Sequence, residues 1–328
     1  MSPGLALARR RLLQAPLLLL LVAAGCFLLL EAAPGDAVDA YLAGLGGDAG
    51  LVRALREAWG LDRSAGTRFL LYLAGLATGD LGTSLAFGRP VLELLLERLP
   101  ITLALAGAAT LLAALLGTGL GLLAGSRPGS AADRLASAVA LVLNATPGFW
   151  LGILLVLLFA VRLRWLPSAG IETIGADYRG LARLLDQARH LVLPTLALGL
   201  VYAALYARIL RAGMVEAWRS DFVRAARARG LPRGRIVLAH VARNALVPLV
   251  TVLGLHGAAM LGGSVVIETL FAVPGMGRLA VEAVIQRDHA LLLGCVLASS
   301  LLVILVNLLV DLAYGRLDPR IELARERP

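Results

Sequence analysis

The sequence predicts an all-α polytopic membrane protein with six transmembrane helices, and three observations carry that expectation. Of the 328 residues, 59% are hydrophobic, and the mean hydropathy is +0.82, as in chains that live in lipid. Six stretches, near 12–32, 99–125, 135–161, 191–210, 244–268 and 290–313, are apolar and long enough to cross the hydrocarbon, which takes about 20 residues. Between two of them, Arg208 to Arg243 holds nine arginines and two acids. An arginine at mid-bilayer costs roughly 2.5–3.5 kcal/mol, so this segment is a solvated loop.

Orientation follows from the arginines, because short basic loops stay in the cytoplasm. Arg9, Arg10 and Arg11 precede the first span, and the Arg208–Arg243 loop falls on the same side by parity. Both termini are expected there. Segment 33–98 carries eight acids against six arginines, and 271–289 two of each, so both are expected outside. The net charge of +9 then lies mainly on the inner face, where topology and anionic lipid account for it without nucleic acid. The expected divisions are an N-terminus and first helix (1–32), an external segment (33–98), a five-helix core (99–314) containing a cytoplasmic loop (211–243), and a cytoplasmic tail (315–328).

The first span has a basic start and alanines at 32 and 33, like a secretory signal. Its apolar run exceeds the roughly 7–15 residues of a signal core, which favours an uncleaved span. The external segment is too long for a structureless loop. Leu51, Leu55 and Trp59 recur at helical spacing and Gly60 follows, the pattern of a surface helix. Gly79-Asp80-Leu81-Gly82-Thr83-Ser84 predicts a turn, and Pro100 is expected near the start of the second span, where its missing N–H is tolerated.

In that span Ala113, Gly117, Gly121 and Gly125 recur every four residues. Such a face admits a close neighbour, as a fixed contact or as a sliding surface. Asn144, Thr146, Pro147 and Gly148 interrupt the third span, as a kink or as part of a cavity wall. The fifth span carries His256 and Ser264 and ends at Glu268. An intramembrane histidine marks a site or bonds a neighbouring helix, and both readings stay open. Asn307 and Asp311, four apart in the sixth span, read as inter-helix bonding. Cys26 and Cys295 lie in separate spans without a histidine partner, so neither a metal site nor a disulfide is expected.

No phosphate-binding G-x-x-x-x-G-K-[ST], H-E-x-x-H or G-x-S-x-G motif occurs. The chain is therefore expected to be no enzyme, with no catalytic residue, metal or bound cofactor of its own. The basic loop has internal order instead. Ser220 and Asp221 precede Phe222-Val223-Arg224-Ala225-Ala226-Arg227-Ala228-Arg229, and Gly230-Leu231 follows: a cap, a short amphipathic helix and a glycine stop. Part of the charge is topology. Phe222, Val223 and Ala226 are expected to form an apolar surface for a partner, with Arg224, Arg227 and Arg229 as its rim, and Gly230 with Pro232 as a stiff exit.

The run Asp221 to Leu231, followed by Arg243-Asn244-Ala245-Leu246-Val247-Pro248-Leu249, resembles the inner-membrane permease subunits of ABC importers, in their dipeptide, oligopeptide and nickel branch. Arg56-Glu57 with Gly60-Leu61-Asp62, Gly79-Asp80-Leu81-Gly82 with Ser84, and Gly88-Arg89-Pro90-Val91 resemble its external segment. Pro147-Gly148-Phe149-Trp150-Leu151-Gly152, Trp165-Leu166-Pro167, Phe271-Ala272-Val273-Pro274-Gly275-Met276-Gly277-Arg278, Arg287-Asp288 and Leu317-Asp318-Pro319-Arg320-Ile321 extend the likeness over nearly the whole chain. Two departures stand out. Arg224 replaces the glutamate that opens the general importer loop, and Ala242-Arg243 stands where that loop has Leu-Pro.

The resemblance implies the type I importer permease fold in a bacterial inner membrane. It also implies a second permease subunit, usually a paralogue, two cytoplasmic ATPases that use ATP and Mg, and an external solute-binding protein. Residues Asp221 to Leu231 are then expected to couple to the ATPase, Pro274, Gly275, Gly277 and Arg278 to face the binding protein, and Asn144, Thr146, His256 and Ser264 to line the path. Di- or oligopeptides are the expected solute, with nickel or another small solute as the alternative. A secondary transporter lacking an ATPase predicts charged residues along the spans, and only His256 and Asp311 qualify.

Overall fold

The computed structural model describes residues 3–35, 37–42 and 49–317; 318–328, with most of the tail motif, lie outside the described residues. The chain runs α1 (Pro3–Ala32), α2 (Ala37–Leu42), α3 (Ala49–Ala58), α4 (Ala65–Thr78), α5 (Val91–Ser126), α6 (Ala131–Ala145), α7 (Gly148–Leu155) with a π-helical extension Val156–Arg162, and α8 (Leu181–Ala217). It continues through α9 (Asp221–Ala228), α10 (Arg233–Arg235), a π-helical stretch Ile236–Ala242, α11 (Arg243–Leu270), α12 (Met276–Ile285) and α13 (His289–Leu317). Two compact units form, 1–102 with 274–328, and 103–273.

In the first unit the described residues of segment 33–98 are largely helical, and the helix that the spacing of Leu51, Leu55 and Trp59 predicts is α3. Gly60, at φ +66°, closes α3, and Leu61 N–H donates to the Arg56 carbonyl at 2.8 Å. The spacing analysis missed α4, although Ser64 caps it by accepting from Thr67 N–H at 3.3 Å. The following turn is pinned to the start of α13. Asp288, fully buried, accepts from Ser84 Oγ at 2.5 Å, Ala86 N–H at 3.1 Å and Leu291 N–H at 3.0 Å. Helix α5 starts at Val91, so Pro100 is its tenth residue rather than part of its first turn. Burial of Val91, Leu94 and Leu95 against Met276, Leu279 and Leu291 draws the helix back past the proline.

The second unit is built on a close pair, α5 and α8. A Cβ at Gly117 would lie 2.7 Å from Tyr206 Cβ, at Gly121 2.8 Å from Leu210 Cβ, and at Gly125 2.6 Å from Met214 Sδ. A Cβ at Gly199 would meet Leu112 Cδ2 at 2.9 Å. The small-residue row is thus a helix contact. Partner positions rise together along both chains, so α5 and α8 run parallel.

That direction settles the third span. Among the described residues five helices are long and apolar enough to cross a membrane, and the α6–α7 pair, bent by 104°, makes a sixth if it counts as one span. Because α8 starts at the end opposite to where α5 stops, the chain between them must cross once. The bent pair is therefore a broken span, interrupted where the polar and proline-containing run at 144–148 was expected to interrupt it. Thr146 and Pro147 break it, with Thr146 Oγ1 donating to the Val142 carbonyl at 2.7 Å.

Candidate functional site

Helix α9 is the best-defined candidate site. Ser220 precedes it in extended backbone, but its hydroxyl makes no cap hydrogen bond; its carbonyl accepts from Val223 N–H at 3.1 Å instead. Asp221 in the first turn pairs with Arg224, and a carboxylate there suits the helix N-terminus. At the other end, Gly230 N–H donates to the Arg227 carbonyl at 2.9 Å and Leu231 N–H to the Ala226 carbonyl at 3.3 Å. This is the two-bond Schellman closure, and it needs the left-handed φ of +73° that Gly230 adopts.

The structure corrects which face is free. Val223 and Ala226 are fully buried and Ile236, Val241 and Ala242 of the following π-helical stretch are buried as well, so Val223 and Ala226 form no outward apolar surface. The exposed side is Asp221, Ala225 and Ala228, flanked by Phe222, Arg224 and Arg229. Arg227 is exposed as well, and its guanidinium carbon lies 5.3 Å from the centroid of the Trp218 ring. Leu231 is half-buried.

Asp133 is buried and accepts from Arg211 at 2.5 and 3.0 Å, from Gly129 N–H at 2.8 Å and from Ser137 Oγ at 3.2 Å. This fastens the start of α6 to α8. The sequence reading missed both residues, since 78 positions separate them.

The four expected path residues fall into two places. Asn144 lies in the last turn of α6 and Thr146 in the α6–α7 break, Asn144 exposed and Thr146 half-buried. His256 and Ser264 share one face of α11 with Met260 and Glu268. His256 packs beside Tyr202 and Tyr206, with ring centroids 5.6 and 6.0 Å away. Ser264, fully buried, donates to Glu268 Oε1 at 3.1 Å. His256 and Ser264 therefore sit within helix packing of this chain.

The four residues expected to face a binding protein differ in exposure. Gly275 and Gly277 are buried, while Pro274 and Arg278 are half-buried, and Arg278 donates to Glu282 at 2.9 Å. Met276, Leu279 and Ala283 join the core of the first unit, which leaves Val284 and Ile285 as the exposed side of α12. In the second unit the connection 163–180 is anchored to α8. Thr173 donates to Asp186 through N–H and hydroxyl, each at 2.7 Å, and Arg183 and then Gln187 hold the Glu172 carboxyl below its usual range.

Residues 117–323 match the model of the binding-protein-dependent transport system inner membrane component, and residues 5–106 that of the N-terminal part of such membrane components. The oligopeptide transport system permease protein AppB of Bacillus subtilis is 35% identical over 319 residues, 96% of this chain and 98% of that protein. The di/tripeptide transport system permease protein DppB of Pseudomonas aeruginosa is 37% identical over 311 residues, 90% of this chain and 92% of that protein. A crystal structure of an amino acid ABC transporter with histidines aligns with TM-score 0.51 at 19% identity, over 68% of this chain and 94% of that one, a likeness of fold. With a broken third span, a parallel α5–α8 pair and a capped helix in its basic loop, the chain belongs to the binding-protein-dependent transport system inner membrane component family.

Proposed function

We propose that this chain is one of two pore-forming permease subunits of an ATP-driven importer of di- or oligopeptides, and that α9 is where an ATPase docks. The observation that carries this is α9 itself: closed at its C-terminal end by Gly230, buried through Val223 and Ala226, and exposed through Ala225 and Ala228. A helix seated this way moves as a unit with the core beneath it. Moving a gate from about 1:99 to 99:1 takes roughly 5.5 kcal/mol of differential binding, which a firmly seated helix transmits and a floppy loop does not. Permeases of peptide systems among the relatives support the solute class.

In this reading the arginine-rich end, with both termini, faces the cytoplasm. ATP and Mg bind only to the ATPases. The second permease is a paralogue, and a solute-binding protein delivers peptide outside. Docking is checked by cross-linking. With the importer expressed complete, Ala228→Cys carrying a thiol-linked photoactivatable cross-linker is expected to label the ATPase, whereas Val223→Cys, facing inward, is not. Equal cross-linking at both positions, or at neither, contradicts the docking assignment.

A further inference from the structure

The end of α5 that lies beside α9 holds an arrangement that ATPase docking does not itself require. Trp218 follows α8 directly, and its indole Nε1–H donates to the Gly125 carbonyl at 2.8 Å. Arg233 donates to the neighbouring Ser126 carbonyl at 3.2 Å. Gly125 and Ser126 are the last two residues of α5, whose terminal carbonyls have no partner within the helix and carry its negative dipole end. An arginine and an indole N–H therefore complete that end.

The same indole holds both sides of the Gly230 turn. The guanidinium carbons of Arg227, in α9, and Arg233, at the start of α10, lie 5.3 and 5.5 Å from its centroid, within range of a cation–π attraction. Gly125 completes the contact, since a Cβ there would lie 2.6 Å from Met214 Sδ. One side chain thus touches the end of α8, the short helix, the segment after it and the end of α5.

We propose that Trp218 is a positioning residue that ties α9 to the end of α5, so that a displacement of α9 shifts α5 with it. The proposal rests on α9 being the ATPase docking helix. An indole that merely filled space would be replaceable by another ring, whereas the bond to the Gly125 carbonyl requires the N–H.

The test uses the complete importer in proteoliposomes, with a radiolabelled tripeptide as the transported probe. Trp218→Phe keeps a ring for both arginines and removes the N–H. The variant is expected to retain its ATPase on purification and to hydrolyse ATP, while tripeptide delivered per ATP falls about tenfold, the scale of one buried hydrogen bond left unmade. Arg233→Gln is expected to lower the same ratio, and the double variant to fall no further than Trp218→Phe, because both act on one helix end.

An unchanged ratio in Trp218→Phe overturns the proposal, and so do losses that multiply in the double variant. Loss of thermal stability with an unchanged ratio makes Trp218 a packing residue and also overturns it. Cross-linking through Ala228→Cys separates the two failures. If it is absent in the wild-type background, docking fails and the tie fails with it. If it forms normally in Trp218→Phe and the ratio is unchanged, only the tie fails.

Discussion

Gly230→Pro is expected to separate ATP hydrolysis from uptake while the importer still assembles in the membrane. Gly230 sits at φ +73° and donates its N–H to the Arg227 carbonyl. Proline fixes φ near −65° and has no N–H, so the substitution removes both bonds of the closure, at about 3 kcal/mol or more. The spans lie elsewhere, so insertion is unaffected. Uptake is expected to fall to a few per cent of wild type, with ATPase stimulation by loaded binding protein lost. Gly230→Ala keeps the N–H and bears only the left-handed penalty of roughly 1–2 kcal/mol. It is expected to fall between the two. Wild-type stimulation in Gly230→Pro counts against α9 as a firmly held lever.

Gly121→Leu is expected to prevent accumulation of the folded protein. The Cβ position already lies 2.8 Å from Leu210 Cβ and 3.0 Å from the Ala207 carbonyl, and a carbonyl of the α8 backbone cannot step aside. Larger atoms force α5 and α8 apart along the whole contact. Lipid adds no hydrophobic drive to offset the lost packing, so the cost exceeds the roughly 1–3 kcal/mol of ordinary overpacking. The control lies on the same helix: Gly119 has no atom within 4 Å of its Cβ position. Gly119→Ala is expected to leave yield and melting temperature in detergent unchanged. Equal tolerance of Gly121→Leu and Gly119→Ala would show that the two helices do not meet here.

Much of this was legible because lipid makes hydrophobicity and charge blunt signals. The spans, the basic loop and the surface helix before Gly60 all follow from composition or spacing. What was not legible depends on partners distant in sequence. The row Gly117, Gly121, Gly125 announces a close neighbour without naming α8. Pro100 resembles a helix start until Leu94 and Leu95 find Met276 and Leu279. The small residues Pro274, Gly275 and Gly277 read as an external loop, yet burial of Met276 draws the two glycines inward. In α9, alanines at 225, 226 and 228 make both faces look alike. Only packing against the stretch from Ile236 decides which one is free. Trp218 carried a weaker signal, an indole among arginines, which marks a cation–π site without its geometry.

Uptake of a labelled tripeptide by proteoliposomes holding the complete importer, supplied with its binding protein, tests the central claim most directly. The account predicts tripeptide accumulation that requires both ATP inside the ATPase compartment and the binding protein, and that is abolished when the ATPases are omitted. Accumulation at the same rate without ATPase or ATP, or ATP-dependent uptake of nickel with none of tripeptide, would contradict it.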